Sequence, residues 1–160
     1  MKKYKLTDET KWLYGRFLHR IVALRDFNDV KKGEKGGWIE KEDNLSHAGY
    51  CWVYDNAIVW GNAIVRGNAN VWGNANVWGN AQICYDTKIS NIADYIVFKN
   101  WWSSGRYFTW TRSNNMWSVG CFHGTGDELI KKAYAESEDK GKHYEEIVEY
   151  VNKCVLENKN

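Results

Sequence analysis

The 160 residues have the size of one domain, or of one domain with a small appendage. Twenty-two Lys and Arg against 20 Asp and Glu leave +2, which argues against a strong footprint for bulk nucleic acid or an anionic membrane. Zero Pro, 10 Trp, 10 Tyr and 16% aromatic residues exclude a disordered composition, and no run of about 18 apolar residues exists to span a membrane.

The start, MKKYKLTDETKW, is basic but lacks an apolar stretch, so it does not read as a secretory signal. Residues 1–34 read as a β cap. The runs KYKL and GRFLHRIVALRDF are joined by the turn-like LTDET, and the glycine-rich DVKKGEKGGWIE leads onward. Residues 1–40 carry a net +4, residues 41–105 a net −1 and residues 106–160 a net −1. The basic excess of the cap reads as a solvated surface.

From Val53 the chain reads VYDNAI, VWGNAI, VRGNAN, VWGNAN, VWGNAQ, ICYDTK, ISNIAD. An aliphatic column falls at Val53, Val59, Val65, Val71, Val77, Ile83 and Ile89. A second, small-residue column falls at Ala57, Ala63, Ala69, Ala75, Ala81, Thr87 and Ala93, and extends backward as Cys51, Leu45 and Ile39. A period of six is neither helical nor a simple alternation, and predicts short strands joined by sharp corners. The Gly-Asn pairs supply corner residues that tolerate positive φ. The absence of Pro leaves every ladder donor in place.

This pattern resembles the hexapeptide-repeat proteins, whose fold is a left-handed parallel β-helix with three hexads per coil. The resemblance implies a mostly β protein with about three coils over residues 35–94. At ~4.8 Å per coil the stack is roughly 15 Å tall. Stacking at that period puts Ile58, Trp60, Asn76 and Trp78 on one outward face. Ile64, Arg66, Gln82 and Cys84 fall on a second, and Trp52, Tyr54, Asn70, Trp72, Lys88 and Ser90 on a third. Such an aromatic, nearly uncharged surface calls for a cover. Self-association into a homotrimer, the habit of the resembled family, is the expectation, with Trp52, Tyr54, Trp60, Arg66, Trp72, Trp78 and Lys88 as interface or ligand residues. Trp60, Trp72 and Trp78 with Arg66 could also grip a nucleobase or a sugar ring.

Residues 95–160 change character, to a β-hairpin plus two helices. Tyr95–Phe98, Arg106–Arg112 and Met116–Phe122 read as strands, with Ser113-Asn114-Asn115 as a hairpin turn. Thr125 and Glu128 form a capping box, predicting a helix over 127–135. EDKGK then breaks it, and a second helix runs over 143–156 with Tyr144, Ile147, Val148, Val151 and Val155 as its apolar stripe.

The segments GRFLHRIVALRDFNDVKKGEKGGWIEKEDNLSHAGYCWVYDNA and SVGCFHGTGDELIKK, with the GNA repeats between them, also resemble hexapeptide-repeat proteins of bacteriophages and prophages. That resemblance specifies no activity. The context it implies is a non-catalytic oligomer in the cytoplasm of an infected bacterial host, countering antiviral defence by sequestering a nucleotide-like ligand or blocking a host defence protein. The alternatives are a hexapeptide-class acyltransferase, whose base would be His47 or His123, and a virion or carbohydrate-binding module. No His/Asp/Glu cluster has metal spacing and no phosphate-binding glycine loop precedes a helix, so neither a metal nor a cofactor is expected. Cys51, Cys84, Cys121 and Cys154 show no CxxC spacing and read as reduced cytoplasmic thiols.

Overall fold

The computed structural model describes residues 1–157. The protein is mostly β, with helices at its C-terminal end. In the repeat, seven two-residue strands follow one another: β4 (Trp52–Val53), β5 (Ile58–Val59), β6 (Ile64–Val65), β7 (Asn70–Val71), β8 (Asn76–Val77), β9 (Gln82–Ile83) and β10 (Lys88–Ile89). They pair in parallel at a spacing of 18 residues, so that Trp52 faces Asn70, Ile58 faces Asn76, Ile64 faces Gln82 and Asn70 faces Lys88. The chain therefore visits three sheets in fixed rotation. Backbone bonds hold each level to the next, as in Trp52 N–H to Ala69 O at 3.1 Å and Ile58 N–H to Ala75 O at 2.8 Å.

Both columns point inward as far as Thr87 and Ile89, while Ala93, expected in the small column, is exposed in a helical turn at 92–94. Val53 through Ile89 in the aliphatic column are 0% exposed, and Ala57 through Thr87 in the small column at most 1%. At Gly67, φ is +69° and a Cβ would meet Tyr85 N at 2.8 Å, so the corner excludes a side chain there. Ile39 and Leu45 do not continue the small column. They pair with Val59 and Val65, 20 residues on, which places them in the aliphatic column. The segment between Leu45 and Val53 thus holds two extra residues, and the regular period begins only at Cys51.

The N-terminal residues form β1 (Tyr4–Leu13), β2 (Arg16–Ala23) and β3 (Lys35–Ile39). LTDET is not a turn. It lies inside β1 at a bulge, and the hairpin turns at Tyr14 (φ 54°) and Gly15 (φ 73°) instead. The hairpin extends one face of the repeat, giving a sheet ordered β1-β2-β3-β5-β8. Tyr4, Ile21, Phe27 and Val30 close the first level against Trp52 and Val53. Lys3 is buried with them, its Nζ donating to Cys51 O at 2.7 Å and lying 3.2 Å from Cys51 Sγ. Burial pushes the Lys3 amine below its ordinary value. The cap thus satisfies carbonyls that a preceding level would otherwise have met.

The other end is closed by hydroxyls. β11 (Tyr95–Lys99), β12 (Tyr107–Thr111), β13 (Met116–Val119) and β14 (Phe122–Gly124) form an antiparallel sheet. Thr109 Oγ1 accepts Gln82 N–H at 3.0 Å and Ser113 Oγ accepts Lys88 N–H at 2.9 Å, taking the place of a further level. The expected third strand, Met116–Phe122, is broken at Gly120 (φ 58°) into β13 and β14. Helices α1 (Gly126–Glu136) and α2 (Glu138–Glu157) pack on this sheet through Leu129, Tyr144, Val148 and Val151 against Phe108 and Trp117. EDKGK does not separate two distant helices but lies within α2. Gly141 is there for contact, since a Cβ would meet the Tyr134 ring at 2.2 Å. Among the described residues no helix is long and apolar enough to cross a membrane.

Candidate functional site

The outward aromatic positions have separate fates. Trp52 is 0% exposed, enclosed by Tyr4 and Phe27 at centroid distances of 6.1 and 5.3 Å. Tyr54 stacks on Trp72 at 3.7 Å and its hydroxyl donates to Asp29 Oδ1 at 2.9 Å. The N-terminal cap therefore covers much of the face carried by β4. On the β5/β8 face, Trp60 is sandwiched between Tyr14 at 5.4 Å and Trp78 at 5.6 Å, and Trp78 is 46% exposed. Arg66 lies on the third sheet, its Nε donating to Cys84 Sγ at 2.9 Å. Lys88 is exposed at the end of the Trp52 and Trp72 face. Within one chain, Trp60 and Trp78 come together, while Trp72, Lys88 and Arg66 do not join them.

His47 is held on both ring nitrogens. Nδ1 accepts Lys3 N–H at 3.1 Å, Nε2 lies 3.2 Å from Glu42 Oε1, and the ring stacks on Tyr4 at 4.3 Å. With its acceptor nitrogen occupied by a backbone donor, this imidazole has no lone pair to offer a substrate. It anchors the cap.

His123 is arranged differently. β13 and β14 place it opposite Ser118, and its Nδ1 lies 2.9 Å from Ser118 Oγ. Nε2 is shielded and finds no hydrogen-bond partner among the described residues. The ring stacks under Tyr85 at 3.9 Å. Burial pushes the His123 imidazole below its ordinary value, and the positive charge of Arg66 adds to this. The residue borders a cleft of ≈ 450 Å³ lined also by Tyr85, Asp86, Asn114, Met116 and Glu128. Glu128 is engaged as a helix cap, accepting Thr125 N–H at 2.8 Å. A neutral histidine fixed at one nitrogen and uncommitted at the other is the arrangement a general base requires.

Sequence reasoning did not single out Ser118, Tyr85 or Tyr14. Tyr85 carried a signal, because, with Asp55, it stands at a corner of the kind that Gly61, Gly67, Gly73 and Gly79 turn elsewhere in the repeat. Ser118 carried none until the turn at Gly120 set its register against His123. Cys121 is exposed in that turn and does not share a strand face with His123.

No family model matches the chain. Over 67 residues it is 43% identical to the protein named "Uncharacterized acetyltransferase YdcK" of Escherichia coli (strain K12). That stretch covers 36% of this chain and 21% of the relative, so the match spans about a fifth of the relative's length.

Proposed function

We propose that the chain is a left-handed parallel β-helix of the hexapeptide class and that it acts as an acyltransferase, with His123 as the general base. The observation that carries the chemistry is His123 itself, oriented by Ser118 with Nε2 uncommitted beside the cleft. The parallel pairing at 18-residue spacing supports the helix, and the 43% identity to a protein named an acetyltransferase supports the activity. With Nδ1–H donating to Ser118 Oγ, Nε2 keeps the lone pair that removes a proton from an acceptor hydroxyl or amine. The acceptor attacks the thioester carbonyl, the carbon–sulfur bond breaks, and the proton passes to the departing thiolate. Rotation of Tyr85, 57% exposed, uncovers the imidazole. Purified protein incubated with acetyl-CoA and a panel of amino and hydroxyl acceptors is expected to release thiol and acetylate an acceptor. Absence of both rejects the reading.

The pH dependence has a definite sign. Protonation of His123 removes the base, and Arg66 disfavours that protonation. Arg66→Gln is therefore expected to move the acid limb of the pH–rate profile to higher pH. A limb that stays in place would show that Arg66 does not act on the titrating group.

A second reading, a non-catalytic oligomeric binding protein of the bacteriophage type, is favoured by one observation. The Tyr14–Trp60–Trp78 stack faces outward, and Trp12 and Phe17 on the adjoining strands are 62% and 60% exposed. Covering that face by a homotrimer predicts a mass by light scattering of three times 18.7 kDa. A monomer at micromolar concentration contradicts it.

A further inference from the structure

The Tyr14–Trp60–Trp78 stack ends abruptly. Its planes lie within 20° and 9° of parallel, and its spacings are 5.4 and 5.6 Å. The sheet that carries this stack ends at β8, and a cavity of ≈ 280 Å³ borders Trp78. Trp78, Gly79, Asn80, Ile92, Tyr95, Val97 and Tyr107 line it, so among the described residues no charged side chain lines the space.

The backbone around this cavity is set up for a level that does not exist. On the previous level, Trp60 N–H donates to Val77 O at 3.0 Å and Asn62 N–H to Gly79 O at 2.9 Å. The equivalent donors one level on are Trp78 and Asn80. Tyr95 reaches this end of the sheet, its hydroxyl donating to Asn76 O at 3.0 Å. The N–H of Asn80, equivalent in register to that of Asn62, finds no partner among the described residues. A flat ring face and a backbone donor thus converge on one uncharged space.

We propose that this cavity is a binding site for a neutral planar heteroaromatic ring of the nucleobase class, which stacks on Trp78 as the next rung and accepts the Asn80 N–H. Tyr107 and Val97 form the side wall, and Ile92 stands at the rim. The size suits one mono- or bicyclic ring, and the lack of lining charge selects an uncharged one. A saturated sugar offers a less continuous face to an indole stack than a base does. The site lies by the edge of the terminal sheet formed by β11 and β12, whereas His123 lies on β14 at the opposite edge. The inference does not rest on the acyl-transfer reading.

Titration with adenosine and with cytidine, followed by tryptophan fluorescence and calorimetry, tests it. Saturable binding is expected, weakened by about tenfold or more in Trp78→Ala, since stacking is the main attraction. Ile92→Trp, which fills the cavity from an exposed position, is expected to abolish binding even if Trp78→Ala fails to fold. Tyr150→Ala, at an exposed position on α2, is expected to leave affinity unchanged. Failure of both nucleosides to bind, or affinity unaltered by both cavity replacements, overturns the proposal.

Discussion

Trp52→Ala is expected to destabilise the protein by about 3–5 kcal/mol, the range for removing a large buried aromatic side chain. At roughly 2–4 °C per kcal/mol for a chain of this size, the melting temperature falls by on the order of 10 °C. Trp52 is 0% exposed and in edge contact with Tyr4 and Phe27, so its loss opens a cavity where the N-terminal cap meets the first level of the repeat. Its indole N–H finds no hydrogen-bond partner among the described residues. Trp52→Phe therefore forfeits volume but no hydrogen bond and is expected to cost markedly less. Thermal melts of the two variants check this. Equal, small losses would mean that the cap does not enclose Trp52.

His123→Asn is expected to slow acyl transfer by about 10²–10⁴-fold, the usual contribution of a positioned general base. The fold should survive, because the residue sits on the short edge strand β14 and makes one side-chain hydrogen bond, to Ser118 Oγ. Circular dichroism and melting of the variant separate lost chemistry from lost structure. Ser118→Ala acts through the ring's orientation. It is expected to lower the rate by less than His123→Asn, while leaving a titratable acid limb in the pH profile.

Much of the repeat was legible in the sequence, and the reason is geometric. A side chain that must fill the same position on each level recurs at a fixed interval, so Val59, Val77, Ala63 and Ala81 could be placed from spacing alone. The rows Trp60/Trp78 and Tyr54/Trp72 followed from the same arithmetic. What covers an outward residue is set by distant chain, and spacing is silent on that. Tyr54 and Trp60 occupy equivalent places in the repeat, yet Tyr54 is buried with its hydroxyl on Asp29 while Trp60 joins an outward stack. The extra two residues before Cys51 escaped notice because Leu45 and Ile39 are apolar in either column. EDKGK read as a break because Gly weakens a helix, but the close approach of Tyr134 requires a residue without Cβ at Gly141.

The candidate base shows the same division. His47 and His123 were both visible as histidines, and the place of His123 just before a helix favoured it without deciding between them. The ranking comes from partners far along the chain or across a turn. Lys3 N–H occupies one nitrogen of His47 from 44 residues away, whereas Ser118 holds one nitrogen of His123 and leaves the other uncommitted.

The central claim is that His123, and not His47, takes the proton in acyl transfer. The most direct measurement is the initial rate of thiol release from acetyl-CoA, with one acceptor, in the unaltered protein, in His47→Asn and in His123→Asn. Release in the first two and its collapse in the third is the predicted result. No release by the unaltered protein, or a rate that His123→Asn leaves intact, would contradict it.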